Sequence, residues 1–464
     1  MADILVEEGM DVTVVLPKMN PKITTNGTKL AKTITIEADP RVTDFMIDDS
    51  YISHTWTTQF SNPFSEKKMI ENVFLAHIYQ CETTLKEKQL IQMLKEERFD
   101  LGISEVFDLC GLGLFDELGI EKHVILQSGL ILEPLADLFG APNLPAVVPS
   151  LFLTYLWEGF RGDQEALMER LLGRKIDLNQ KMTEASFVIT NADPLLDFPR
   201  PITERIVNIG GISIRDPKPL DSYWEEVVTK REATVLMSFG SVAQSYTMPK
   251  EMKKAILETF KRFPEVTFIW KYEEHKDEVA KDLPNVVTNK WIPQNDLLNH
   301  PNLKLFITHA GMNSILETSR RGVPVMTIPL FGDQMRNAEM VKRLGTARVV
   351  DKSRLFDADH LEAEIREALT NPSYRTNASR LAKMISKRPH NQRDQLVKHV
   401  KFAAEFGSLP EYRIPQVSFA QYYMLDIFIP LGVVVIFGGL TCAYGLVKLV
   451  QHLVGFNSPK VKSA

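Results

Sequence analysis

Short apolar runs and longer stretches with a single apolar face alternate along most of this chain. In the first half, residues 12–16, 33–36, 99–104, 123–127 and 187–190 read as strands. Helical spacing lies between several of them, the longest stretch running from about Glu66 to Arg98. In the second half, 234–238, 266–270, 286–288, 303–308 and 323–329 read as strands. Helices over 250–262, 313–321, 337–344 and 361–369 separate them. Strand, helix, strand at this spacing predicts parallel sheets with helices on both faces. The pattern breaks at Gly210-Gly211 and at Asp216-Pro217-Lys218-Pro219, where a linker is expected. The reading is therefore α/β: two doubly wound Rossmann-like domains, 1–212 and 233–400, joined by 213–232 and facing a cleft. Ligands of such sheets bind outside the carboxyl ends of the strands.

The end of the chain follows a different pattern. Residues 427–447 carry no charge and are bounded by Asp426 and Lys448. At about 1.5 Å per residue this stretch covers roughly 30 Å, the thickness of a bilayer core. A transmembrane helix is expected there, preceded by a returning helix and juxtamembrane segment at 401–426. The tail, 448–464, holds Lys448, Lys460 and Lys462 and no acid, which places it in the cytosol and the body in a lumen. Lys460 and Lys462 near the terminus resemble the dilysine signal that returns proteins to the endoplasmic reticulum.

Composition adds limits. A chain of 464 residues, 44% hydrophobic, is too long for one core. Its net charge of −5 supplies no basic field for nucleic acid. Three cysteines are too few for a disulfide framework, so Cys81 and Cys110 are expected as free buried thiols. A single bridge between them remains open if the chain meets an oxidising lumen.

The chemistry concentrates between Trp291 and Gln334. An apolar strand ends at Thr308, and the turn His309-Ala310-Gly311 follows it. A helix then opens at Asn313-Ser314, both residues that cap helices well. Free N–H groups and the positive dipole end at that helix start suit a diphosphate, and Gly311 lets the backbone approach an oxygen closely. Glu317, one turn from Asn313, can accept two hydrogen bonds from a ribose diol. Trp291 offers a flat face to a base, and Gln294 can pair with a uracil edge through donor and acceptor. Asp333-Gln334, after the next strand, can read sugar hydroxyls. Singly, these residues have ordinary roles: Trp291 in a core, His309 in a loop, Glu317 on a solvated helix face, Asp333-Gln334 as a cap.

As one ordered string, Trp291-Ile-Pro-Gln294 through Phe306-Ile-Thr-His309-Ala-Gly311-Met-Asn313-Ser314-Ile-Leu-Glu317 to Asp333-Gln334 resembles the signature of the animal UDP-glycosyltransferases, the UDP-glucuronosyltransferase family. Ala310 stands where many members have a second glycine. Phe239-Gly240-Ser241 resembles the family's second diphosphate loop, which makes Ser241 a donor contact. The resemblance implies a GT-B enzyme with a UDP-sugar donor, UDP-glucuronic acid or UDP-glucose, and neither cofactor nor metal. It implies inverting transfer of the hexose to a hydroxyl of a small lipophilic acceptor. Homo- or hetero-oligomers with relatives are compatible with it.

In this family a histidine removes the acceptor proton and a carboxylate orients it. The carboxylate position falls on Glu105, just past a strand, where relatives often have aspartate; capping of the next helix is the structural alternative. Gly111-Leu-Gly113 lacks the third glycine of a dinucleotide fingerprint, and Asp357-Ala-Asp359 stands where it caps a helix rather than binds metal. The family's histidine, first strand and signal peptide belong to a segment ahead of what reads here as a helix at residues 1–9. His54, the first histidine, lies too far downstream to replace it. The chain therefore reads as shortened at its start. Three functions compete: an active membrane-bound transferase, a silent UDP-sugar-binding homologue, and a receptor-like binding protein, against which the donor string argues.

Overall fold

Twelve parallel strands carry the body of the protein in the computed structural model, which describes residues 1–20, 23–47, 54–57, 63–142, 153–413 and 418–456. β1 (Thr13–Pro17) and β2 (Lys32–Ile36) pair with each other. β3 (Gly102–Glu105), β4 (His123–Gln127), β5 (Val188–Thr190) and β6 (Ile206–Asn208) form a second sheet in that order. β7 (Ala233–Ser238), β8 (Val266–Lys271), β9 (Val286–Asn289), β10 (Leu303–Thr308), β11 (Val325–Thr327) and β12 (Ala347–Val349) form the third, in the order β9-β8-β7-β10-β11-β12. Every pairing is parallel. Strands such as β8 and β10 are buried on both faces, which is why they read as unbroken apolar runs.

The order of the third sheet is the doubly wound one, and it reverses between β7 and β10, where such folds bind ligands. Laid on the first half, the same order makes β2-β1 and β3-β4-β5-β6 the two flanks of one sheet. Both flanks feed common cores: Val15 and Ile34 pack with Ile125 and Val188, and Val12 and Ile103 with Val124 and Ile189. Yet β1 and β3 each keep an unpaired edge, and among the described residues no strand joins them.

The expected strands and helices recur, with differences that have local causes. The stretch from Glu66 to Arg98 is two helices, Pro63–Lys86 and Lys88–Glu97, separated at Glu87, whose ψ of 73° leaves the helical region. β6 and β12, each three residues long, were too short to show a period. Residues 213–232 are not linker throughout. Asp221 caps the helix Ser222–Thr229 by accepting from Trp224 N at 2.9 Å, and Trp224, Val227 and Val228 pack into the second core. The returning helix starts before 401, as Gln392–Phe406, capped by Asn391 and packed through Leu396 and Val400 against Val124 and Phe187. Asp357 caps the helix Ala358–Thr370, as its position implied.

Cys81 and Cys110 are bridged rather than free, with Cα atoms 5.5 Å apart. The helix Pro63–Lys86 packs on the helix Cys110–Leu118 over one core, which brings the two buried cysteines together. The sequence carries two Asn-x-Ser/Thr glycosylation sequons, Asn26-Gly-Thr28 and Asn377-Ala-Ser379. Asn26 is exposed, whereas the Asn377 amide donates to Gly345 O at 3.0 Å and is committed to packing.

Met1–Arg413 forms one compact unit. A strap from the first half enters the core of the second: Trp56, 1% exposed, packs edge-on against Phe239 at 5.0 Å and donates to Thr247 Oγ1 at 3.0 Å. Beside it Lys352 Nζ donates to Thr55 O at 2.7 Å.

In the second unit, Ile414–Ala464, the helix Leu425–Phe456 is exposed along its length and is long and apolar enough to cross a membrane. It overruns the expected 427–447 at both ends because Asp426 and Lys448 are readily carried in a helix. Lys460 and Lys462 lie outside the described residues.

The disulfide closes a loop with a sequence separation of 29, for which chain entropy gives about 3–4 kcal/mol of stabilisation. Protein isolated from cells should show the Cys81–Cys110 peptide pair by non-reducing mass spectrometry. Its Cys81→Ser/Cys110→Ser variant should unfold with stability lower by about that amount. Free, alkylatable thiols at both positions would contradict the bridge.

Candidate active site

The two loops that leave the switch point meet at one imidazole. After β7 the chain turns at Gly240, whose φ is 80°, and a Cβ there would stand 2.8 Å from His309 Cε1. After β10 a Cβ at Gly311 would stand 2.5 Å from His309 Nε2. Both positions must therefore be glycine for the ring to fit. Ala310, between them in the turn, holds the left-handed conformation at φ 67°, which costs an alanine about 1 kcal/mol. Asn337 Nδ2 donating to its carbonyl at 3.0 Å, and a fully buried methyl, hold it there. The turn survives the missing second glycine.

Burial, and then the nearby Lys271, push His309 down to about 4, so its ring is neutral at physiological pH. Lys271, at the end of β8, donates to the Gly240 carbonyl. Ser241 is exposed beyond that glycine.

The helix Met312–Arg321 begins one residue earlier than expected. Its cap is Gly311, without a side-chain hydrogen bond, so Asn313 and Ser314 are first-turn residues and not caps. That leaves the first-turn N–H groups uncapped by any side chain, the arrangement that suits a phosphate. Gln294 Nε2 donates to Glu317 Oε2 at 2.6 Å and to Ser314 Oγ at 3.3 Å, so three of the expected donor residues are already hydrogen-bonded together. Burial raises the Glu317 carboxyl and the Gln294 bond opposes the rise. Trp291 stands outermost, 77% exposed, which excludes a core role. Asp333, its carboxyl also raised by burial, accepts from Asn337 Nδ2 at 2.7 Å. Gln334 is buried, and its Oε1 accepts from Leu330 N and Phe331 N, so its acceptor serves the loop.

Across the cleft, Glu105 has partners that the sequence did not single out. At the end of β3, it accepts from Ser128 N at 3.3 Å, just past β4. The adjacent Gly129 faces Asp333, since a Cβ there would lie 4.0 Å from Asp333 Oδ2. Asn191, just past β5, donates to Asn313 Oδ1 at 2.9 Å and accepts from Gly211 N at 3.2 Å. The available signal was position: Ser128, Gly129 and Asn191 directly follow strands.

Residues 138–455 match the family model described as UDP-glucoronosyl and UDP-glucosyl transferase. The chain belongs to this family. A putative UDP-glucuronosyltransferase of Caenorhabditis elegans is 32% identical over 356 residues, 73% of this chain and 69% of that protein. UDP-glucuronosyltransferase 1A8 of Rattus norvegicus is 29% identical over 430 residues, 86% of this chain and 79% of that one. Among solved structures, the glycosyltransferase of kitacinnamycin (TM-score 0.59, 18% identity, 87% of this chain and 94% of that) has the same fold. So does the calicheamicin glycosyltransferase CalG4 (TM-score 0.57, 17% identity, 87% and 93%). The fold is GT-B, and the protein is a glycosyltransferase that moves a glycosyl group from a UDP-sugar to an acceptor.

Burial raises Glu105 to about 7, against which its bonds to Ser128 and Phe107 act only in part. Since this value lies above the unfolded one, the neutral buried acid is tolerated at low pH, and its cost grows as pH rises through about 7. Glu105 should therefore remove about 2 kcal/mol of stability between pH 5 and pH 8. Denaturant titrations should show that loss in the native protein and not in Glu105→Gln. Parallel curves for the two would mean that Glu105 is solvated.

Proposed function

We propose that this family member is an inverting transferase that moves glucuronic acid or glucose from UDP to a hydroxyl of a small lipophilic acceptor. The observation that carries this reading is the convergence of Gln294, Ser314 and Glu317 beside an uncapped helix start at the switch point. UDP lies with its uracil between Trp291 and Gln294, its ribose on Glu317 and its diphosphate at the first turn of Met312–Arg321 and the Gly240-Ser241 loop. Asp333 reads sugar hydroxyls. Neutral His309 donates to the diphosphate through one ring nitrogen without adding a buried charge. The acceptor oxygen attacks the anomeric carbon as the bond to the β-phosphate breaks, and single displacement inverts the centre. The acceptor proton passes to a base next to Glu105, and no metal or cofactor takes part.

The helix Leu425–Phe456 anchors the protein in the endoplasmic reticulum membrane, body lumenal, with Lys460 and Lys462 in a cytosolic retrieval signal. The bridged Cys81–Cys110 pair supports a lumenal body, because such bridges persist in oxidising compartments. Its detection in protein from cells is the check on that orientation.

A second reading, UDP-sugar binding without transfer, is favoured by one observation. Glu105 hydrogen-bonds Ser128 and Phe107, and among the described residues no histidine is its partner.

Two measurements separate these readings. Glu317→Ala should weaken UDP binding by about 1.5–3 kcal/mol, the scale of charge-assisted hydrogen bonds. That is about tenfold to over a hundredfold in Kd by calorimetry, and unchanged affinity would remove Glu317 from the site. Glycosylation of a panel of phenols by the protein, lowered about 10²–10⁴-fold in Glu105→Ala, the usual worth of a group in general acid–base chemistry, would support transfer. UDP binding with no turnover would support the second reading.

A further inference from the structure

From Pro372 to Arg393 the chain holds six Lys and Arg residues and no Asp or Glu, in a protein whose net charge is −5. The helix Pro372–Ser386 and the segment that follows it turn this run toward a cavity of about 1000 Å³. None of the donor-site residues lines it. Its opposite wall is the loop Asp193-Pro194-Leu195 of the first half, together with Asn208 at the end of β6.

Three of the cations are accounted for. Arg393, outside the cavity lining, pairs with Glu7 and Glu8. Arg388 pairs with buried Asp193, the only carboxylate that lines the cavity. Arg375 donates to the carbonyls of Leu303, Lys304 and Gly322 and holds the helix to the second sheet. Arg380, Lys383 and Lys387 remain. They recur at i, i+3 and i+7, line the cavity, and have no carboxylate within ion-pair distance among the described residues. Like charges stacked on one helix face weaken the helix. The helix dipole offsets this near the C-terminal end, for Lys383 and Lys387, and not at Arg380. Apolar atoms of Leu195, Met384 and Pro389 complete the walls.

We propose that this cavity is a second anion site, for a ligand with a phosphate or diphosphate head on an apolar body. The cations on one helix face match several phosphate oxygens, as point charges and a guanidinium fork do elsewhere, and the volume exceeds what an ion alone needs. Asp193 repels such a head only weakly, being neutralised by Arg388. Because the walls come from both halves of the body, the ligand bridges them through residues other than those assigned to the donor.

A soluble diphosphate compound and a phosphomonoester lipid share this chemistry, so the test has two arms. The full chain in zwitterionic detergent is kept in excess UDP, which fills the donor site. It is then titrated with inorganic pyrophosphate and, separately, with lysophosphatidate. Saturable binding of at least one probe is expected, weakened at least tenfold in Lys383→Glu/Lys387→Glu. Lys254→Glu/Lys261→Glu, the same charge change on another helix, should alter it less than twofold. UDP affinity measured on each variant reports that the fold persists, and it keeps this test separate from the donor assignment. Pyrophosphate binding alone assigns a soluble ligand, and lysophosphatidate binding alone a lipid. Saturable binding of neither probe, or equal losses in both charge-reversed variants, would overturn the site and leave a solvated basic face only.

Discussion

The two loops at the switch point depend on the space around the His309 ring. Two loops from adjacent strands of a doubly wound sheet converge there, and at neither is there room for a β-carbon. The constraint is local and steric, yet it fixes the mutual placement of the Gly240-Ser241 loop and the start of the helix Met312–Arg321. Burial keeps the ring neutral, so the site gains a hydrogen-bonding group without bringing a buried charge next to Lys271.

The polar groups around that ring are paired in advance. Gln294 holds Glu317, Asn337 holds both Asp333 and the Ala310 carbonyl, and Asn191 reaches across the cleft to Asn313. Such pairing fixes rotamers before a ligand arrives, which lowers the entropy cost of binding. The buried carboxylates are raised toward neutrality by burial, so partners that they meet in the cleft regain part of a desolvation cost already met in folding.

The fold class and the family were legible because the strands and the string from Trp291 to Gln334 obey rules of period and spacing. β7, β8 and β10 are continuous apolar runs, and β10 is followed by the small-residue turn His309-Ala310-Gly311. What escaped the sequence was either short or non-local. β6 and β12 have three residues each, below any usable period. The helix Ser222–Thr229 hid behind two prolines that read as linker. Asn191 and Ser128 carry no motif, and only the meeting of two sheet edges gives them partners. The cap at Gly311 in place of Asn313 was misjudged because propensity favours asparagine, while the His309 ring demands glycine. The Cys81–Cys110 bridge depended on helix packing that spacing does not encode.

Trp56 belongs to the first half by position in the chain and to the second by packing. Its indole fills a place among Val235, Met237 and Phe239, the residues on which the Gly240-Ser241 loop is mounted. The donor half is therefore not a portable module. Cut away at the linker and joined to another first half, it would keep its sheet and its sequence signature and lose the side chain that closes its core beneath the Gly240-Ser241 loop. Exchange of halves between members of such a family is confined to partners that supply an aromatic strap of the same reach.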